Sequence, residues 1–171
     1  MRQRLLQTLS AASLVLALTT FSVPSHALDA GQPAPDIELA TGPGVEKLSK
    51  LKGKLVYVDF WASWCGPCRQ SFPWMNEMQA KYGAKGLQIV GINLDAKRAD
   101  ADQFLAQLPA KFTLSFDSKG DTAKRFGVKG MPTSVLIGPD GTVLAVHQGF
   151  KDEDRKDLEA KFVNALGALS K

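Results

Sequence analysis

Apolar residues along this chain change period several times, and each change marks an element. Four short runs rich in β-branched and aromatic residues have the length and composition of strands: LVYVDF at 55–60, LQIVGIN at 87–93, TSVLI at 133–137 and TVLAVHQ at 142–148. The last two are separated by Gly138-Pro139-Asp140-Gly141, a short turn sequence that makes the pair an antiparallel hairpin. Between the first two, residues 67–82 predict a helix of the length that a right-handed parallel crossover needs. Helical spacing returns at 99–108, where Phe104, Leu105 and Leu108 share a face, and at 154–169, where Leu158, Phe162, Ala165 and Leu169 do. These stripes read as core-facing packing. Residues 122–126 predict a further short helix ended by Gly127, while GQPAPDIEL (31–39) and VEKLSKLKGK (45–54) read as an extended segment and a turn. The pattern predicts an α/β fold with a mixed central sheet flanked by helices.

The first residues follow a different rule. Arg2 and Arg4 precede an apolar run at 11–21, and Ser25-His26-Ala27 supplies small residues where a signal peptidase cuts. The run is shorter than the ~20 residues of a spanning helix, so residues 1–27 predict a cleaved signal peptide rather than an anchor left in place. No cysteine follows the run to carry a lipid. Without residues 1–27 the chain keeps 19 basic and 17 acidic side chains, interspersed as in KDEDRKDLEAK at 151–161. No basic stripe points to nucleic acid. A single domain, 28–171, accounts for the remainder.

Against that background the two cysteines stand out, because only Gly66 and Pro67 separate Cys65 from Cys68. A loop so small constrains the unfolded chain by only about 2 kcal/mol, against about 4.7 for a loop of 100 residues. A dithiol that opens and closes during turnover explains the spacing better. Cys65 lies between the end of a predicted strand and the start of a predicted helix, where unpaired N–H groups and the helix dipole favour a thiolate. It is expected to be the exposed nucleophile. Cys68, one turn on, would reach the Cys65 sulfur from a covered position and resolve a mixed disulfide. Pro67 fits a first helical turn because no hydrogen bond is lost there.

VDFWASWCGPC resembles the active-site strand and motif of the thioredoxin superfamily, with the Gly-Pro dipeptide of its reducing members. Pro73 resembles the helix-kinking proline of that family, and Gly130-Met131-Pro132-Thr133 the loop whose cis-proline faces the disulfide. The opening GQPAPDIEL, the run LSKLKGKLVYVDFWASWC and the long stretch between Asn93 and Pro132 resemble the exported, TlpA-like thiol-disulfide oxidoreductases, over residues 31–171. That resemblance implies a thioredoxin-like fold with an N-terminal extension, and an inserted helix at 99–108 and strand near 113–116 before the cis-Pro loop. It implies catalysis by Cys65 and Cys68 with Asp59 handling the proton, and substrate contacts at Trp64, Gly66, Pro67, Met131 and Pro132. The Met131 backbone would pair with the incoming chain. A periplasmic reductant follows, monomeric and without a cofactor. It would act on a disulfide-bearing protein and be recharged by an inner-membrane thiol donor of the DsbD or CcdA kind.

Two positions depart from the family. Members that serve cytochrome c maturation often carry a glutamate three residues after the second cysteine, where this chain has Ser71. Thioredoxin pairs its buried aspartate with a lysine of the neighbouring strand, and the matching position here is Gly91. Asp59 is therefore expected to lack a cation, with its pKa raised by desolvation. Two other functions compete. The sulfurs could carry copper or zinc, although a closed zinc site wants four ligands and only His147 joins them in the mature chain. A peroxide-reducing redoxin would share the GQPAPDIEL opening, but the Pro-x-x-x-Thr-x-x-Cys arrangement of its reactive cysteine is absent. Trp61 reads as a core aromatic and Trp64 as a surface that meets substrate.

Overall fold

The computed structural model describes residues 28–41 and 44–169; the expected signal peptide, 1–27, lies outside them. In chain order the elements are β1 (Glu38–Thr41), β2 (Gly44–Lys47), β3 (Leu55–Trp61), α1 (Gly66–Tyr82), β4 (Leu87–Asn93), α2 (Arg98–Gln107), β5 (Thr113–Phe116), α3 (Asp121–Arg125), β6 (Thr133–Ile137), β7 (Val143–Gln148) and α4 (Asp154–Leu169). The main sheet has the order β5-β4-β3-β6-β7. β4 runs parallel to β3 and β5 parallel to β4, while β6 is antiparallel to both β3 and β7. This is the mixed sheet that the strand pattern predicts and the thioredoxin-like topology that the resemblance implies, with the inserted β5 at one edge.

β3 is the centre of the molecule, buried along its whole length. Its alternation divides the core in two. Leu55, Tyr57 and Trp61 face a layer built by α1, α2 and α4, through Phe72, Met75 and Met78, Phe104, and Leu158 and Phe162. Val56, Val58 and Phe60 face the other layer, with Ile37 and Leu39 of the N-terminal segment and Ala123 and Phe126 around α3. Outside the first layer, Glu159 of α4 accepts hydrogen bonds from Lys81 and Tyr82 at the end of α1, each 2.6 Å long.

The N-terminal region is more ordered than its composition predicts. Residues 45–54, expected as a turn, contain β2 and a 3-10 helix at Leu48–Leu51, and β1 and β2 form an antiparallel pair. Tertiary contacts supply what propensity does not. The Ser49 N–H and hydroxyl donate to the Asp36 carboxylate at 2.9 and 3.0 Å, Leu48 N–H donates to the Ile37 carbonyl, and Leu48 is buried. Before this hairpin the chain is stitched to the start of β7. Gly31 N–H donates to Val143 O, Val143 N–H to Gln32 O, and Ala34 N–H to Gly141 O. Gly141 itself closes the β6–β7 turn with φ +89°, a left-handed conformation suited to glycine.

Gly91 sits beside Asp59 in the β3–β4 register, as the sequence comparison with thioredoxin expects. A Cβ there would lie 2.9 Å from Phe112 Cε2, 3.2 Å from Trp61 Nε1 and 3.3 Å from Leu114 Cδ2. Phe112 and Leu114 belong to the insertion, so its packing takes the space that a side chain on β4 would need. Gly91→Ala is expected to cost about 1–3 kcal/mol by overpacking. Urea unfolding should show Phe112→Ala relieving part of that loss in the double mutant. An unchanged midpoint for Gly91→Ala would mean that the Phe112 ring moves aside freely.

Candidate active site

Cys65 caps the N-terminus of α1, and a disulfide joins it to Cys68, with the two Cα atoms 5.3 Å apart. The Cys68 N–H donates to the Cys65 sulfur at 3.3 Å, and the first turn of α1 contains Pro67 but no acidic side chain. The positive end of the helix dipole therefore acts on that sulfur without a competing carboxylate in the same turn. Cys65 is less open than the sequence predicts. In the disulfide it is 4% exposed and Cys68 0%, because both belong to the apolar cluster on which Met131 packs. In this disulfide-bonded state only the first of the two touches solvent. Gly66, Pro67 and Trp64 are exposed beside them, Trp64 at 72%.

Met131-Pro132 is a cis peptide, immediately ahead of β6. Thr133 donates its hydroxyl to the Gly130 carbonyl, and the Pro132 carbonyl accepts from Gly149 N–H. Among the described residues the Met131 N–H and carbonyl find no hydrogen-bond partner. Ser71, at the position of the family's glutamate, is buried and donates its hydroxyl to the Cys68 carbonyl at 3.1 Å.

Asp59 is 2% exposed, and its Oδ2 has no hydrogen-bond partner among the described residues. It shares a face of β3 with Tyr57 and Trp61, the face on which the disulfide lies. Burial pushes its carboxyl well above the usual range. Opposite it on β6 stands Ser134, and opposite Ser134 on β7 stands His147. Tyr57 donates its hydroxyl to Ser134 Oγ at 2.7 Å, and its own pKa is pushed up first by burial and then by the Asp59 charge. His147 Nε2 lies 3.4 Å from Asp154 Oδ2 but is not aligned for a hydrogen bond. His147 is thus part of a polar row across the sheet rather than a partner of the sulfurs. Among the described residues no three His, Cys, Asp or Glu side chains come together as a metal site.

Residues 29–162 match the Redoxin family. The chain belongs to that family. Thiol-disulfide oxidoreductase ResA of Bacillus thuringiensis subsp. konkukian is 35% identical over 140 residues, covering 81% of this chain and 79% of that protein. ResA of Oceanobacillus iheyensis is 31% identical over 165 residues, covering 90% and 86%. A Chlorobium tepidum structure assigned as thiol:disulfide interchange protein DsbE superposes with a TM-score of 0.80 at 60% identity, covering 82% of this chain and 99% of that one. This redoxin is a thiol-disulfide oxidoreductase of the TlpA-like branch of the thioredoxin superfamily, with its redox pair at Cys65 and Cys68.

One part of the site escapes sequence reading. Asp95, 5% exposed after β4, accepts from the Ser63 N–H and hydroxyl at 2.9 and 2.8 Å and from Asn93 Nδ2 at 2.7 Å. This carboxylate ties the loop that carries Trp64 and Cys65 to the end of the neighbouring strand. Its only trace in the sequence is a polar Asn-Leu-Asp after an apolar strand, which any loop could show.

Because the folded Asp59 pKa lies above its unfolded value, the folded state holds a proton that the unfolded state has released between those two pKa values. Stability then falls as pH rises through that window, by about 1.4 kcal/mol per pH unit, and levels off above the folded pKa. Asp59→Asn should remove this slope and be the more stable protein at neutral pH. Parallel stability–pH curves for the two proteins from pH 4 upward would show that Asp59 is solvated after all.

Proposed function

We propose that this redoxin is an exported reductant of disulfides in protein substrates, with Cys65 as nucleophile and Cys68 as resolving thiol. The observation that carries this reading is the asymmetric Cys-Gly-Pro-Cys pair. One sulfur caps a helix and touches solvent, and the other lies wholly behind it. In the reduced protein the Cys65 thiolate attacks a substrate disulfide, forming a mixed disulfide and releasing one substrate thiolate, which takes up a proton. Cys68 then loses its proton and attacks the Cys65 sulfur, so that the second substrate thiolate leaves and the protein is left oxidised. Asp59 in its carboxylate form, made more basic by burial, accepts the Cys68 proton. Trp64, Gly66 and Pro67 meet the substrate around the sulfur, and the unpaired Met131 backbone beside Pro132 bonds its extended chain.

The direction of electron flow rests on the dipeptide. Gly-Pro resembles the low-potential members, with thioredoxin at about −270 mV. A dithiol of that poise needs resupply in an oxidising compartment, and an inner-membrane dithiol donor of the DsbD or CcdA kind fits. Export rests on Arg2, Arg4, the apolar run and the small residues up to Ala27. Among the described residues no helix is long and apolar enough to cross a membrane. The ResA and DsbE likenesses fit a cytochrome c maturation role, whereas Ser71 in place of glutamate separates this site from many such members.

Cys65→Ser should abolish insulin reduction. Cys68→Ser should stop after the first attack and accumulate mixed disulfides, whose captured partners mass spectrometry would identify. Iodoacetamide should modify Cys65 of the reduced native protein before Cys68, and equal labelling would overturn the assigned roles. Replacing Pro67 with histidine at the helix start should raise the reduction potential by about 30 mV or more, where 30 mV corresponds to about 1.4 kcal/mol for two electrons. Equilibration with glutathione buffers measures it, and an unchanged potential would remove Pro67 from the account.

A further inference from the structure

The inserted helix α2 passes beside the sulfur site, and an open groove of about 280 Å³ lies between them. Phe104 lines it from below, Trp64 and Arg69 from the side of the disulfide, and Gln103 and Gln107 from α2. Arg69 directly follows Cys68, so the groove leads away from the reacting sulfurs. Its guanidinium lies 4.8 Å from the centroid of the Phe104 ring, and Nη1 donates to Gln107 Oε1 at 3.2 Å. Ring and amide together hold the planar group in one orientation. That lowers the ordering cost of binding an anion.

Among the described residues no carboxylate pairs with this cation. Arg98 on α2 is paired with Asp102, and Arg155 with Asp152, whereas Arg69 forms no ion pair among the described residues. A guanidinium has five N–H donors, and Gln107 occupies one. Gln103 and Gln107 stand one turn apart on α2, so their amides face the groove together. Paired amides beside an exposed indole suit an extended polypeptide, whose backbone both donates and accepts. Asp100 lines the groove one turn before Gln103 and Phe104, while Arg69 meets α2 at Phe104 and Gln107. An acidic side chain is therefore repelled at one end and attracted at the other.

We propose that this groove holds the polypeptide beside a substrate's reacting cysteine, and that Arg69 selects substrates carrying an acidic side chain there. The proposal rests on the reading of this protein as a protein-disulfide reductase. Arg69 is a specificity-determining residue in it, and α2 is the element that makes the specificity.

The experiment uses pre-reduced protein and synthetic peptides whose single cysteine carries a 2-thiopyridyl leaving group. The peptides differ only in aspartate or lysine, placed two residues to either side of the cysteine. 2,2′-Dipyridyl disulfide, uncharged and without a peptide, is the reference. The second-order rate constant should favour an aspartate peptide over its lysine counterpart by about fivefold at low salt, the upper range of an exposed ion pair. At 1 M salt the ratio should approach one. Arg69→Gln should remove the preference, Arg69→Lys should keep part of it, and Arg69→Glu should invert it. A wild-type ratio of one on both sides of the cysteine would overturn the proposal. So would Arg69→Gln slowing both peptides and dipyridyl disulfide equally, which would place the guanidinium's effect on the sulfur itself. If the wild type fails to reduce dipyridyl disulfide, the reductase reading falls, and the groove's role as a substrate site falls with it.

Discussion

A strand buried on both faces has to deliver a reactive sulfur to the surface, and most of this fold is arranged around that demand. β3 places Val58 and Phe60 at no exposure and continues through Trp61 and Ala62, also at none, before the chain turns outward at Ser63 and Trp64. Rigidity comes from the strand's two apolar layers, and the outward turn is fixed by the two-toothed grip of Asp95 on Ser63. The helix that follows then starts at the sulfur rather than near it. The N-cap geometry, the exposed Gly-Pro and the wholly covered Cys68 are consequences of where β3 ends.

The insertion changes the chemistry of the centre as well as its outline. Phe112 packs edge-to-face on Phe72, and Phe104 packs on both Phe72 and Trp61, so the added segment completes an aromatic cluster under the disulfide. The same packing closes β4 at Gly91 to any side chain, and with it the place from which thioredoxin presents a cation to its buried carboxyl. Asp59 is left with a hydroxyl-bearing neighbour on β6 and a bare backbone on β4. A carboxyl in those surroundings is governed by desolvation, and its proton affinity is set by packing rather than by a partner charge.

Most of this architecture was legible because periodicity and turn chemistry agree with each other. The strands at β3, β4, β6 and β7, the crossover helix and the hairpin at Gly138–Gly141 are each marked twice, by apolar spacing and by what bounds it. The N-terminal hairpin was not legible. β1 and β2 are short and flanked by turn formers, and what orders the segment is the reach of Asp36 across thirteen residues to Ser49. The cysteines and Pro132 carry a local motif, and Asp59 stands out as an acid in an apolar strand. Asp95, Tyr57 with Ser134, and Arg69 with Phe104 show nothing local that singles them out, because each depends on two elements meeting.

The stitching of residues 31–34 to the start of β7 also fixes where the described chain begins relative to the site. Ile137 pairs with both Val143 and Val56, so the chain enters beside the first residues of β3, whereas Cys65 follows its last. Seven residues of strand separate those two ends, about 20 Å. Anything fastened at residue 28 therefore grips the molecule by its heel and turns the sulfur outward like the tip of a probe.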